Sequence, residues 1–206
     1  MQVVGLTGFA GAGKSTVAEY LVKEHGFTRL SFAAPLKKML RTLDPMLSYT
    51  LPFGGTKEEA TESALRLSEA IDLYEGDEVA IKESGWGPEY RRLLQVLGTD
   101  CIRAVDEDFW VNAAASQMDD QDRNYVFDDV RFPNEAFVIS GITPLGLWYI
   151  ERNAVHRANG HASEQHAGKM GEQVHLFNGG RGDESLKFLF DQVDNAVDMA
   201  FGQVTV

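Results

Sequence analysis

The sequence predicts an α/β fold of three layers, a parallel β-sheet with helices on both faces, and three observations predict it. At the start, Val3, Val4 and Leu6 form a short apolar run, glycines follow, and residues 15–22 take helical spacing. The same strand-then-helix order returns over residues 27–40 and again at the end of the chain. Between these lie two apolar runs, 125–127 and 145–150, that read as strands buried on both faces.

The first connection carries the chemistry. Gly8-Phe9-Ala10-Gly11-Ala12-Gly13-Lys14-Ser15 fits the pattern of Gly, four residues, Gly, Lys, then Ser or Thr, and it sits between a strand and a helix as that pattern requires. Glycines let the backbone turn tightly and aim successive N–H groups into one concavity, where the helix N-terminus adds partial positive charge. Such a loop binds the phosphates of a nucleoside triphosphate. Lys14 supplies a mobile full charge, the Ser15 hydroxyl is suited to Mg²⁺, and Gly8, Gly11, Ala12, Gly13 and Thr16 complete the candidate ATP-binding set. A glycine-rich turn without a ligand is the alternative, and the full pattern in this context disfavours it.

Composition bounds the partners. A chain of 206 residues suits one domain, 1–206, with room for a small insertion. The net charge of -12 argues against a nucleic-acid polymer or an anionic membrane as partner, since both call for surplus Lys and Arg. Cys101 is the one cysteine, so no internal disulfide forms, and it reads as a core thiol in a reducing cytoplasm. No apolar run reaches membrane-spanning length and the N-terminus lacks a signal-peptide pattern, so the expectation is a cytoplasmic protein.

Along the rest of the chain, residues 27–32 alternate as a strand and residues 33–40 turn helical with Pro35 at an early position. Residues 44–87 read as an inserted helical subregion. Pro45, Pro52, Gly54 and Gly55 interrupt regular structure there, and an acidic helix over 57–71 follows, with a Thr56 and Glu59 capping box and an apolar stripe of Ala60, Ala64, Leu67 and Ile71. Pro88 and Gly98 bracket the next helix. On it Tyr90, Leu93, Leu94 and Leu97 share one face, while Arg91, Arg92 and Gln95 share the opposite one. That face is either an oxyanion clamp or an ordinary solvated basic face. Asp106 caps a helix carrying Phe109 and Trp110, an aromatic pair suited to core packing or to base stacking.

The strand at 125–127 ends in Asp128-Asp129, and carboxylates at the end of a parallel strand beside a phosphate loop meet Mg²⁺ or its waters. Asp129 is the one assigned to the metal, and Arg131 follows at the edge where open α/β sheets bind ligands. A helix over 133–140 comes next. Residues 151–171 lose apolar periodicity and read as a lid-like segment whose Arg152 and Arg157 close over donor phosphates. Its histidines recur every five residues, which matches no zinc spacing. A last strand at 174–177 leads to a helix capped by Asp183, with Leu186, Leu189, Phe190, Val193 and Val197 on one face.

Six separated stretches then resemble one family. GFAGAGKST at the start, SFAAPLK at 31–37, RRLLQVLGTDCIR at 91–103, DDVRFPNEA at 128–136, HASE at 161–164 and FNGG at 177–180 together resemble the phage deoxynucleoside monophosphate kinases. The resemblance implies a three-layer P-loop NTPase fold with an inserted monophosphate-binding region and a lid. It implies transfer of the γ-phosphoryl of ATP, with Mg²⁺, to a deoxynucleoside 5′-monophosphate. Lys14, Asp129 and Arg131 would be catalytic, and Ser15 and Asp129 would organise the metal. Arg91, Arg92 and Arg131 would grip the acceptor phosphate, with Lys37, Gln95, Arg103, Trp110 and Glu135 as further acceptor-side candidates; Ser163 and Glu164 match without an assigned role. A homodimer is possible, and the compartment would be the host cytoplasm for a phage-encoded chain. Two other readings stand beside this one. A small-molecule kinase of the dephospho-coenzyme A or phosphomevalonate type would share loop and lid, whereas a nucleotide-dependent switch would need Asn-Lys-x-Asp and Asp-x-x-Gly, and the sequence has neither.

Overall fold

The computed structural model describes residues 1–51, 61–152, 165–180 and 182–202. The chain divides into two compact units, one of Met1–Phe32 with Trp110–Val206 and one of Ala33–Phe109. In the first unit five strands form a wholly parallel sheet in the order β2-β5-β1-β6-β7. They are β1 (Val3–Thr7), β2 (Thr28–Leu30), β5 (Tyr125–Phe127), β6 (Leu147–Glu151) and β7 (Val174–Phe177).

Alternation along these strands builds two cores. Val4, Leu6, Val126, Trp148 and Ile150 pack on one side with α1 (Lys14–His25) and α8 (Asp183–Phe201), through Val17, Leu21, Leu189 and Val193. Val3, Tyr125, Phe127 and Leu147 point the other way, against α6 (Phe109–Ala115) and α7 (Pro133–Ile142), through Val111, Ala114, Ala136 and Ile139. The three layers follow from that period of two. Asp183 is the first residue of α8, whose cap is Gly182, so it does not cap the helix as its sequence position suggested.

The second unit holds α2 (Ala34–Leu43), β3 (Met46–Leu51), β4 (Thr61–Arg66), α3 (Leu67–Leu73), α4 (Glu78–Glu83) and α5 (Gly87–Gln95). Here the sequence reading needs correcting. β3 and β4 are an antiparallel pair with Leu47 opposite Leu65 and Tyr49 opposite Ser63, so the acidic helix expected over 57–71 gives way to a strand at 61–66. Leu47 is fully buried in this unit's core with Leu40, Leu67, Ala70, Ile81 and Tyr90, and Leu65 packs against it. Residues 61–66 thus form a strand that packs Leu65 on this core, and helical structure begins only at Leu67. The Thr56 and Glu59 pair lies outside the described residues.

Gly98 does not end α5. The chain continues as a π-helix over Val96–Arg103, and Gly98 is buried where a Cβ would sit 2.7 Å from a Leu36 methyl, so it serves close packing. Cys101 on that segment is exposed, not a core thiol. Among the described residues no helix is long and apolar enough to cross a membrane.

Candidate active site

The chain leaves β1 at Thr7 and enters α1 at Lys14, so residues 8–13 are the whole connection. Gly8 has φ +141° and a Cβ there would lie 2.5 Å from the Ile150 carbonyl oxygen; only glycine fits. The Lys14 ammonium donates to the carbonyls of Gly8 at 2.7 Å and Phe9 at 3.0 Å, which folds its charge back over the loop. A cleft of about 490 Å³ opens beside it, lined by Gly11, Gly13, Lys14, Ser15, Thr16, Arg152, Asn178, Gly180, Gly182 and Leu186. Five positions of the candidate ATP-binding set, with Arg152, therefore share one cavity. Arg157 lies outside the described residues.

Across from the loop, β5 ends at two carboxylates that face different partners. Asp128 accepts from the Ser15 hydroxyl at 3.2 Å and also from the Arg29 guanidinium. Asp129 instead accepts from the Ser31 hydroxyl at 2.6 Å and the Phe32 N–H at 3.0 Å. Ser15 and Asp129 are the residues expected to organise the metal; the carboxylate that the Ser15 hydroxyl meets is Asp128, which joins them as a candidate. Ser15 Oγ and the Asp128 carboxylate are the hard oxygen donors that Mg²⁺ takes, so these residues fit that ion.

Arg131 follows with an exposed side chain that has no ion pair among the described residues. Its backbone N–H and that of Phe132 both donate to Glu135 Oε2, at 2.8 and 3.1 Å. Glu135 is 3% exposed, so its carboxylate closes the first turn of α7 and shapes the loop carrying Arg131. This corrects its placement among acceptor-binding groups, because a buried acceptor of two backbone donors is not presented to a ligand. Trp110 is buried as well, the packing alternative of the two its sequence allowed.

Arg152 lies on the cleft wall. Its Nη1 donates to the Gly11 carbonyl at 3.0 Å, while its buried Nε has no hydrogen-bond partner among the described residues. The end of the lid-like segment is anchored to the residue after it: Glu172 accepts from the Gly168 and Met170 N–H groups at 2.8 and 3.0 Å.

In the second unit, the inward face of α5 is as its spacing implies, with Tyr90 buried and Leu93, Leu94 and Leu97 packed on the same core. Arg91 and Arg92 are both exposed and Gln95 is half-buried. The two arginines differ. Arg92 holds Glu89 with Nε and Nη2 at 2.8 Å each, whereas Arg91 has no ion pair among the described residues. Lys37 meets Glu78 at 2.8 Å, and Lys82 and Arg41 approach the same carboxylate at 3.3 and 3.5 Å. Burial alone would raise the pKa of Glu78, but the hydrogen bond and charge of Lys37, with Lys82, bring it below the ordinary value. Arg103 donates to the Glu107 carbonyl at 2.9 Å.

A sequence-family model described as deoxynucleotide monophosphate kinase matches residues 57–181, more than half of the chain. The chain belongs to the deoxynucleotide monophosphate kinase family. A protein of Acanthamoeba polyphaga mimivirus, provisionally described as a deoxynucleotide monophosphate kinase, is 27% identical over 213 residues, covering 97% of this chain and 100% of its own. A gluconokinase from Sinorhizobium meliloti 1021 aligns over 99% of this chain and 98% of its own at 12% identity, with a TM-score of 0.44, too low to inform the reading. As a member of the family, the protein is a nucleotide kinase, a phosphotransferase. The match begins after residue 15, so the phosphate loop and the family membership are separate observations.

Sequence reasoning missed Arg29, Ser31 and Asn178. Ser31 and Asn178 stood in the SFAAPLK and FNGG stretches that carried the resemblance, but no pattern of spacing assigned them a partner. Arg29 sits on β2, beside β5 in the sheet, a neighbour that appears only once the strand order is known.

Proposed function

We propose that the protein transfers the γ-phosphoryl group of ATP to a deoxynucleoside 5′-monophosphate. The observation that carries this reading is the cleft over the phosphate loop, with Lys14 and Ser15 on one side and Asp128 reaching Ser15 from β5, in a chain of this kinase family. An ionised oxygen of the acceptor phosphate attacks the γ-phosphorus. The bond to the β–γ bridging oxygen breaks, and that oxygen leaves with the electron pair as part of ADP. The loop amides and Lys14 hold the donor phosphates and spread their charge, which is where most of the acceleration in phosphoryl transfer arises. Ser15 and Asp128 would hold Mg²⁺, which when bound offsets charge on the phosphates. In the first unit Arg131, which follows the strand-end carboxylates in sequence, has no ion pair among the described residues and suits a phosphate. In the second unit Arg91, likewise without an ion pair among the described residues, is a separate candidate for the acceptor phosphate. No general base is needed, because the acceptor oxygen is already ionised near neutral pH.

The test is an acceptor panel. With ATP and Mg²⁺, ADP should form with at least one deoxynucleoside monophosphate, and Lys14→Ala should lower kcat by on the order of a hundredfold while leaving the fold intact. No ADP with any nucleotide acceptor would overturn the reading.

A further inference from the structure

We propose that Asn178 is a positioning residue for the phosphate loop. Its side chain is 5% exposed and fixed at both ends: Nδ2 donates to the Ala12 carbonyl at 2.8 Å and Oδ1 accepts the Gly180 N–H at 3.0 Å. Its backbone N–H is held by the Glu151 carbonyl at 2.8 Å. The residue therefore has one orientation, and that orientation reaches a loop 166 positions away in sequence.

A loop that binds an anion through N–H groups has to keep its carbonyl oxygens turned away, because an inward oxygen repels phosphate. In a trans peptide the C=O and the following N–H point in opposite directions, and the described chain has no cis bond. Holding the Ala12 oxygen on the Asn178 side turns the Gly13 N–H away from Asn178. Arg152 does the same one residue earlier, through the Gly11 carbonyl at 3.0 Å. Gly13 makes the approach sterically feasible: a Cβ there would fall 2.5 Å from Asn178 Nδ2. Asn178 and Gly180 also line the cleft, so one amide side chain ties the cleft wall to the loop that grips phosphate.

The inference rests on the proposed use of this loop for ATP, and the experiment separates the two. Affinities for Mg-ATP and for Mg-tripolyphosphate, which has no base or sugar, are measured for wild type, Lys14→Ala, Asn178→Asp and Asn178→Ala, well below each protein's melting midpoint. Asn178→Asp keeps the shape but sets a carboxylate oxygen against the Ala12 carbonyl. Both affinities should fall by the same factor, roughly tenfold, and kcat should fall while the acceptor KM holds. If ATP binding falls but tripolyphosphate binding holds, Asn178 acts on the rest of the nucleotide and the proposal is wrong. Wild-type affinities in both variants, or failure of both to fold, would make Asn178 a packing residue and overturn it equally. A wild type that binds neither ligand, or that Lys14→Ala leaves unchanged, would instead sink the ATP reading.

Discussion

Asp128 and Asp129 are adjacent in sequence, yet one meets the Ser15 hydroxyl and the other holds Ser31 and the Phe32 N–H. Their substitutions should separate accordingly. Asp128→Asn should shift the Mg²⁺ dependence of activity by on the order of tenfold, whereas Asp129→Asn should lower the melting temperature by loosening the turn after β2 and leave the Mg²⁺ midpoint close to wild type. Mg²⁺ titrations with parallel thermal melts check both, and a larger Mg²⁺ shift for Asp129→Asn would restore the assignment that the sequence suggested. The two arginines of α5 divide in the same manner. Arg92 already spends its fork on Glu89, and that pairing holds the Glu89 pKa below its ordinary value. Arg91→Ala should therefore raise the acceptor KM by about tenfold to a hundredfold at saturating ATP, with Arg92→Ala closer to about threefold, as a surface pair permits. Equal effects would show that Arg92 exchanges Glu89 for the acceptor. Helical spacing correctly set both arginines opposite Leu93 and Leu94, but which of them is committed to a neighbour depends on Glu89, three residues back, whose pairing the spacing left unranked.

At the scale of elements, the clasp between α2 and α4 is electrostatic. Lys37, Arg41 and Lys82 converge on Glu78, whose folded pKa lies below its ordinary 4.5. A depressed carboxylate pKa contributes stability that is fully present above the unfolded value and is lost as pH falls through the lower folded one. Glu78→Gln should thus lower the melting midpoint at neutral pH, and the gap to wild type should close as pH is taken from about 4.5 downward. A gap that stays constant to about pH 3 would mean that the residue acts by packing alone. Elements with strong local patterns were legible in the sequence: β1 with its loop, β5, β7, α2, α7 and α8 lie close to where periodicity and proline put them. The hairpin of β3 and β4 was not, because Ala64, Leu67 and Ile71 fit one helical stripe, yet Ala64 lies in β4 while Leu67 and Ile71 lie in α3. The choice between strand and helix is made by burying Leu47, far outside any local window. Gly98 misled for a related reason, since a glycine that ends a helix and a glycine that lets Leu36 come close are the same letter.

For the molecule as a whole, strand-then-helix order and the phosphate loop announced the sheet, while the strand order β2-β5-β1-β6-β7 had to come from the structure. That order has a consequence for how the chain is made. β1 leaves the ribosome before the other strands of this sheet and is the central one in it, flanked by β5 and β6, which begin at residues 125 and 147. The unit of Ala33–Phe109 is continuous and its internal contacts are complete once it has emerged. A nascent chain of that length still carries Val3–Thr7 with both edges unpaired, five residues that are wholly buried in the finished sheet. The phosphate loop thus gains its shape only after more than half of the chain has been synthesised. Until then, β1 is an unpaired apolar strand of the kind that chaperones cover.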